Sequence, residues 1–271
     1  MSLSLNVRIM KDRIFYFLIF TLALLSVHGC ASLGTYNPAT GKSEFIFIPT
    51  AEEISLGQSL HQRILEEYKL SEDQAKIQRV NKIGQKLALV SDRQDYQYNF
   101  YLIEKDEMNA FTIPGGNIYF FSGLLDKLQS DDQVASVLAH EIGHCAARHT
   151  VKKFQAALGY DLINSLIMGA LNVGEGTKRI INLSAGSLMN LVFSAYSRQD
   201  EYEADRLGVK YMYFSDYDPQ AMIETFAILK KESKESGQTP LILRSHPFLD
   251  DRIKEAQKEI ENVKTKFTQE H

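Results

Sequence analysis

His140-Glu141-Ile142-Gly143-His144 sits in an apolar stretch that opens with a helix signal, Ser130 followed three residues later by Gln133. Residues four apart on a helix lie about 40° apart around its axis, so both imidazoles project from one face. Two neutral imidazoles at that spacing can share one zinc ion, and Glu141, on the flank of that face, can take a proton from a water on the metal. Catalytic zinc needs a third protein ligand and an open position. The metzincin arrangement would put glycine at 147 and histidine at 150; Ala147 and Thr150 stand there, which excludes it. His149 lies five residues past His144, about 140° around the helix, and is not expected to join the same ion.

A later segment can supply the missing carboxylate: Ser197-Arg198-Gln199-Asp200-Glu201-Tyr202-Glu203-Ala204-Asp205. Glu201, Ala204, Asp205 and Gly208 share one helical face. Glu201 can face the metal, while Ala204 and Gly208 leave room for two helices to approach closely. Asp205, one turn on, can accept a hydrogen bond from the second nitrogen of a ligand histidine and fix its tautomer. Asp200 is the weaker competitor for ligation. Glu203 points about 200° away from Glu201 and reads as solvated. Cys145 is on the metal helix but rotated away from the ligands, so it reads as a small buried hydrophobe rather than a nucleophile.

Working outward, the remaining pattern is helical with a small β element. Thr50 and Glu53 form a capping-box signal before apolar positions at Ile54, Leu60 and Ile64. Helices are expected over about 72–90, 154–172, 178–196, 198–214, from Pro219 onward, and over about 250–266. Tyr98 to Ile103 reads as a strand, and residues 110–113 with 118–121 read as a hairpin around Pro114-Gly115-Gly116. The fold class is α+β, mostly helical, with a small sheet or hairpin beside the histidine helix.

The N-terminus has a different character. Arg8, Lys11 and Arg13 precede an apolar run from Ile14 to Val27, too short for a comfortable span of about 20 residues but suited to a signal peptide. Val27-His28-Gly29-Cys30 is similar to a bacterial lipobox, in which the cysteine is acylated and becomes the first mature residue. Ala31 after it weakly favours the outer membrane. The expected organisation is a lipoprotein signal peptide over 1–29, a tether over 30–49 and one domain over 50–271. The chain has two cysteines, Cys30 and Cys145, so a lipidated Cys30 leaves no intramolecular disulfide. The formal charge of −4 and the lack of a basic run speak against nucleic-acid binding.

Together these residues resemble the HtpX and CAAX-prenyl-protease type of zinc metallopeptidases, a gluzincin family with a zincin-like domain, and within it the periplasmic lipoprotein branch of BepA-like and LoiP-like proteins. The resemblance is carried by residues 36–42, Asn109-Ala110-Phe111 with 114–116 and 122–125, His140 to His144 with Arg148-His149, Glu201 to Asp205, and Ser245-His246-Pro247. It implies that His140, His144 and Glu201 bind one zinc and that Glu141 is the catalytic base. It further implies that Asn109, Ala110 and Phe111 form an edge strand that pairs with an extended protein or peptide substrate. His246 would approach the zinc, either steadying the tetrahedral intermediate or filling the fourth position in a closed state. The function implied is endopeptidase action on misfolded or misassembled envelope proteins, on the periplasmic face of the outer membrane. The chain ends soon after its last helix, so docking through tetratricopeptide repeats is not expected. Two other readings stand beside it: a chaperone-like lipoprotein with a mostly closed protease site, and a small-peptide or prenyl-peptide hydrolase.

Overall fold

The computed structural model describes residues 35–46, 48–167 and 185–268. The signal-peptide reading, Cys30, and parts of the expected 154–172 and 178–196 helices lie outside the described residues. Residues 35–37 and 41–46 belong to one unit, in which β1 (Thr35–Asn37) pairs antiparallel with β2 (Lys42–Glu44) and Asn37 Nδ2 donates to Glu44 Oε2 at 3.0 Å. The tether reading thus covers a short two-stranded ladder.

The other unit holds the chemistry. Its elements are α1 (Thr50–Glu67), α2 (Gln74–Ala88), β3 (Asn99–Ile103), β4 (Ala110–Ile113), β5 (Asn117–Phe121), α3 (Ser122–Leu125), α4 (Asp131–Ala146), α5 (His149–Ile167), α6 (Ala185–Val192), α7 (Arg198–Phe214), α8 (Gln220–Ser236), α9 (Leu241–Ser245) and α10 (Leu249–Thr268). The strands order β3-β5-β4, with β3 parallel and β4 antiparallel to β5, so β4 is an edge. Gly115 and Gly116, at φ 81° and 77°, make the turn between β4 and β5 in a region of backbone space that side chains disfavour. Among the described residues no helix is long and apolar enough to cross a membrane.

Helix α4 is the centre of this unit. Ser130 accepts from Gln133 N at its start, and Asp131 and Asp132 sit in its first turn, where a negative charge suits the exposed N–H groups. Every residue from Gln133 to Ala146 is buried, against α2, α7, α8 and β4. The helix ends at Arg148, whose φ of 57° reverses the chain into α5. Bonds from Arg148 to Ile48 O (2.6 Å) and Glu53 Oε2 (3.1 Å) hold that unfavourable backbone.

The capping box expected at Thr50 does not form. Pro49 is the N-cap, Thr50 Oγ1 donates to Asp95 Oδ2, and Glu53 turns inward. There it accepts from Arg93, Arg148 and the Gly115 N–H. A buried carboxylate shared by two guanidiniums outranks a helix cap worth about 1 kcal/mol.

Where α4 crosses α7 the backbones nearly touch: a Cβ on Gly143 would lie 2.7 Å from Ala204 O. Gly143→Ala is therefore expected to force the helices apart. It should destabilise the protein by about 1–3 kcal/mol in denaturant unfolding and lower its zinc occupancy.

Candidate metal centre

Three elements bring the donors together. One turn of α4 separates His140 from His144. On α7, Ser197 and Asp200 form a reciprocal capping box that starts the helix and sets Glu201 just inside it. Asp200 is thereby committed to the cap rather than to a metal. Short helix α9 ends at Ser245, whose carbonyl accepts from Tyr196 N, and His246 follows immediately.

His140 Nε2 and His144 Nε2 are 3.1 Å apart. Glu201 Oε1 is 3.4 Å from His144 Nε2, and Glu201 Oε2 is 3.7 Å from His140 Nε2. His246 Nδ1 completes the group, 3.2 Å from His140 Nε2 and 3.0 Å from Glu201 Oε1. Zinc bonds of about 2.0–2.1 Å to tetrahedral ligands imply donor separations of roughly 3.3 Å. The four side chains are buried and match that spacing, and imidazole with carboxylate is the donor chemistry zinc takes. The residues fit zinc, with His140, His144 and Glu201 as protein ligands and His246 as a fourth donor.

The ligands have their own supports. His140 Nδ1 lies 2.8 Å from Asp205 Oδ1, as the one-turn spacing from Glu201 suggests. Arg252, on α10, donates from Nε and Nη2 to the two Asp205 oxygens, each at 2.7 Å, and its Nη1 is 2.6 Å from Glu201 Oε2. Burial pushes the Glu201 and Asp205 carboxyls up, but the Arg252 charge and the neighbouring histidines, with their hydrogen bonds, together outweigh it, and both sit below the usual carboxylate range. Burial pushes the His144 imidazole well below its usual value, favouring the neutral form that a metal requires.

Glu141 is fully buried beside this group. Neither of its oxygens has a hydrogen-bond partner among the described residues; His246 Nε2, at 3.4 Å, is the histidine atom facing Oε1. Asn109 lies just before β4, fully buried, with both side-chain amide atoms unpartnered among the described residues, and Ala110 and Phe111 open the edge strand.

One residue differs from its expected setting. Glu203 is buried rather than solvated, because His149, the first residue of α5, lies against that side of α7: its Nε2 is 3.2 Å from Glu203 Oε2. His149 stays off the metal position, but for a different reason from the one expected: the helix ends before it and the chain reverses at Arg148, so His149 starts α5 and is buried with its Nδ1 3.0 Å from His144 Nδ1. Two further residues had not been singled out. Tyr196 stacks on His144 with ring centroids 4.0 Å apart, a contact with no local sequence signal. Arg252 had a faint one, since it shares a helix face with the buried Ala256, Ile260 and Val263.

Cys145 is buried, its Sγ 2.8 Å from Thr112 Oγ1, and burial pushes the thiol up to about 12. The folded protein thus favours the protonated thiol well above the usual cysteine value near 8.5. Iodoacetamide at pH 9 is expected to leave Cys145 unmodified in the native protein and to label it after denaturation, as peptide mass spectrometry can show.

The profile of Peptidase family M48 matches residues 74–260. The beta-barrel assembly-enhancing protease of Escherichia coli (strain K12) is 28% identical over 225 residues, covering 81% of this chain and 46% of that protein. Its namesake from Yersinia pestis is 27% identical over 233 residues, covering 84% and 48%. The mitochondrial metalloendopeptidase OMA1 of Schizosaccharomyces pombe is 24% identical over 234 residues, covering 85% and 68%. The chain therefore spans about half the length of the two bacterial relatives.

Proposed function

The chain belongs to peptidase family M48, and from that premise we propose that it is a zinc-dependent endopeptidase acting on misfolded or misassembled proteins of the bacterial cell envelope. The observation that carries the activity is the donor spacing. Two imidazole nitrogens 3.1 Å apart, each beside Glu201, form a buried cluster that a divalent cation satisfies. Bound there, zinc supplies a Lewis acid that acidifies water and polarises a peptide carbonyl. Glu141 accepts the attacking water's proton at its free carboxylate and delivers it to the leaving amine. Asp205 and Arg252 hold His140 and Glu201 in place throughout.

The substrate lies extended along β4. In the β4–β5 register, Asn109 O accepts from Phe121 N, so Ala110 and Thr112 turn their backbone groups toward the open edge. An added strand can pair with them, and the unpartnered Asn109 amide gains partners from its backbone. An apolar cavity walled by Val137, Met222, Phe226, Leu229 and Ile242 reaches His140 and His246, and it suits an apolar side chain beside the scissile bond. His246 Nδ1 stands among the zinc donors, which favours the closed arrangement over a role in the intermediate.

Location rests on Cys30 as a lipid anchor at the periplasmic face of the outer membrane, supported by the lipobox-like Val27 to Cys30 and by the two relatives named for β-barrel assembly. The test is direct. Purified protein should hold one zinc per chain and cleave unfolded casein beside apolar residues, and Glu201→Ala should lose most of that metal. Zinc uptake with no cleavage of casein or peptides would favour the chaperone-like reading instead.

A further inference from the structure

His149 and Glu203 have no part in the reaction just described, yet both are buried against the metal centre. His149 Nδ1 lies 3.0 Å from His144 Nδ1, and its Nε2 lies 3.2 Å from Glu203 Oε2 and 3.5 Å from Asp200 Oδ1. We propose that Glu203, acting through His149, is a positioning pair that fixes the tautomer and orientation of His144 and so leaves its Nε2 bare for zinc. This rests on the reading of His144 as a zinc ligand.

The assignment follows from counting protons inward from the outer end. Carboxylates only accept, so the proton of a neutral His149 sits on Nε2, toward Glu203 and Asp200. His149 Nδ1 then carries a lone pair, and the atom facing it at 3.0 Å has to donate. That atom is His144 Nδ1. A neutral imidazole has a single N–H, so His144 Nε2 presents its lone pair toward His140 and Glu201. The opposite tautomer of His144 would place a proton where the ion binds, whereas the assigned one turns the Nε2 lone pairs of His140 and His144, 3.1 Å apart, toward the ion that joins them.

His140 reaches the same state by a shorter route, its Nδ1–H donating directly to Asp205. The need for an intermediary is geometric. Glu203 leaves α7 on the side away from Glu201, and the first residue of α5 bridges the distance. His144 is fully buried and His149 is 2% exposed, so water does not compete for these bonds. Tyr196, stacked on His144, bars the ring from swinging out of line.

Two measurements test the pair without relying on catalysis. In the metal-free wild-type protein, imidazole ¹⁵N spectra should place the proton of His144 on Nδ1 and that of His149 on Nε2. Competition with a chromogenic chelator should show zinc held about 10–100-fold more weakly in His149→Leu and Glu203→Leu. Glu203→Gln, whose side-chain carbonyl can still accept from His149 Nε2–H, should stay within about threefold of wild type. A His144 proton on Nε2 overturns the proposal, and so does a folded Glu203→Leu protein that holds zinc as tightly as wild type. If the leucine variants do not fold, the wild-type spectrum and Glu203→Gln decide it. A wild-type protein that takes up no zinc overturns the metal-centre reading itself.

Discussion

Glu141→Gln is expected to lower casein cleavage by about a hundredfold to ten-thousandfold, the range lost when a positioned base is removed. Zinc content and thermal unfolding should stay at wild-type values. The reasons lie in the surroundings of the side chain. Glu141 is fully buried and its oxygens bond to nothing among the described residues, so the isosteric amide breaks no hydrogen bond. It is not one of the clustered donors, so the ion keeps its ligands. What the amide cannot do is accept a proton. A variant that cleaves at wild-type rate would remove Glu141 from the mechanism, and one that loses zinc would show that it is a ligand instead.

The second large effect concerns Arg252→Met. The methionine fills similar volume but leaves Asp205 and Glu201 as buried carboxylates with no guanidinium beside them. Breaking a buried charge cluster by removing one partner costs about 3–5 kcal/mol. At about 2–4 °C per kcal/mol for a domain of this size, the melting temperature of the metal-free protein should fall by roughly 6–20 °C. Added zinc should recover part of the loss, because it supplies positive charge next to Glu201. A melting temperature unchanged in the absence of metal would mean that Arg252 contributes little to holding the two carboxylates.

The parts of the centre that were legible in the sequence are those set by the period of one helix. His140 and His144 align because they are four apart, and Asp205 follows Glu201 by the same rule. Gly143 against Ala204 was anticipated only from the α7 side, as small residues that permit a close crossing. Contacts made between elements were not legible. Glu203 looked solvated because nothing local says that the start of α5 will lie against its face, and His149, excluded as a ligand, gave no hint that it supports one. Arg252 and Tyr196 arrive from distant segments. The same limit applies to the sheet: the β4–β5 hairpin was evident from its glycines, but the parallel pairing of β3 with β5 depends on packing against α2. At Thr50 a good local signal lost to a buried ion cluster at Glu53.

The residues converging on the metal position come from 140 and 144, then 201 and 205, then 246 and 252, with each later set bracing an earlier one. A chain still leaving the ribosome therefore has no assembled donor cluster, because the stretch that braces it is the last of these to be made.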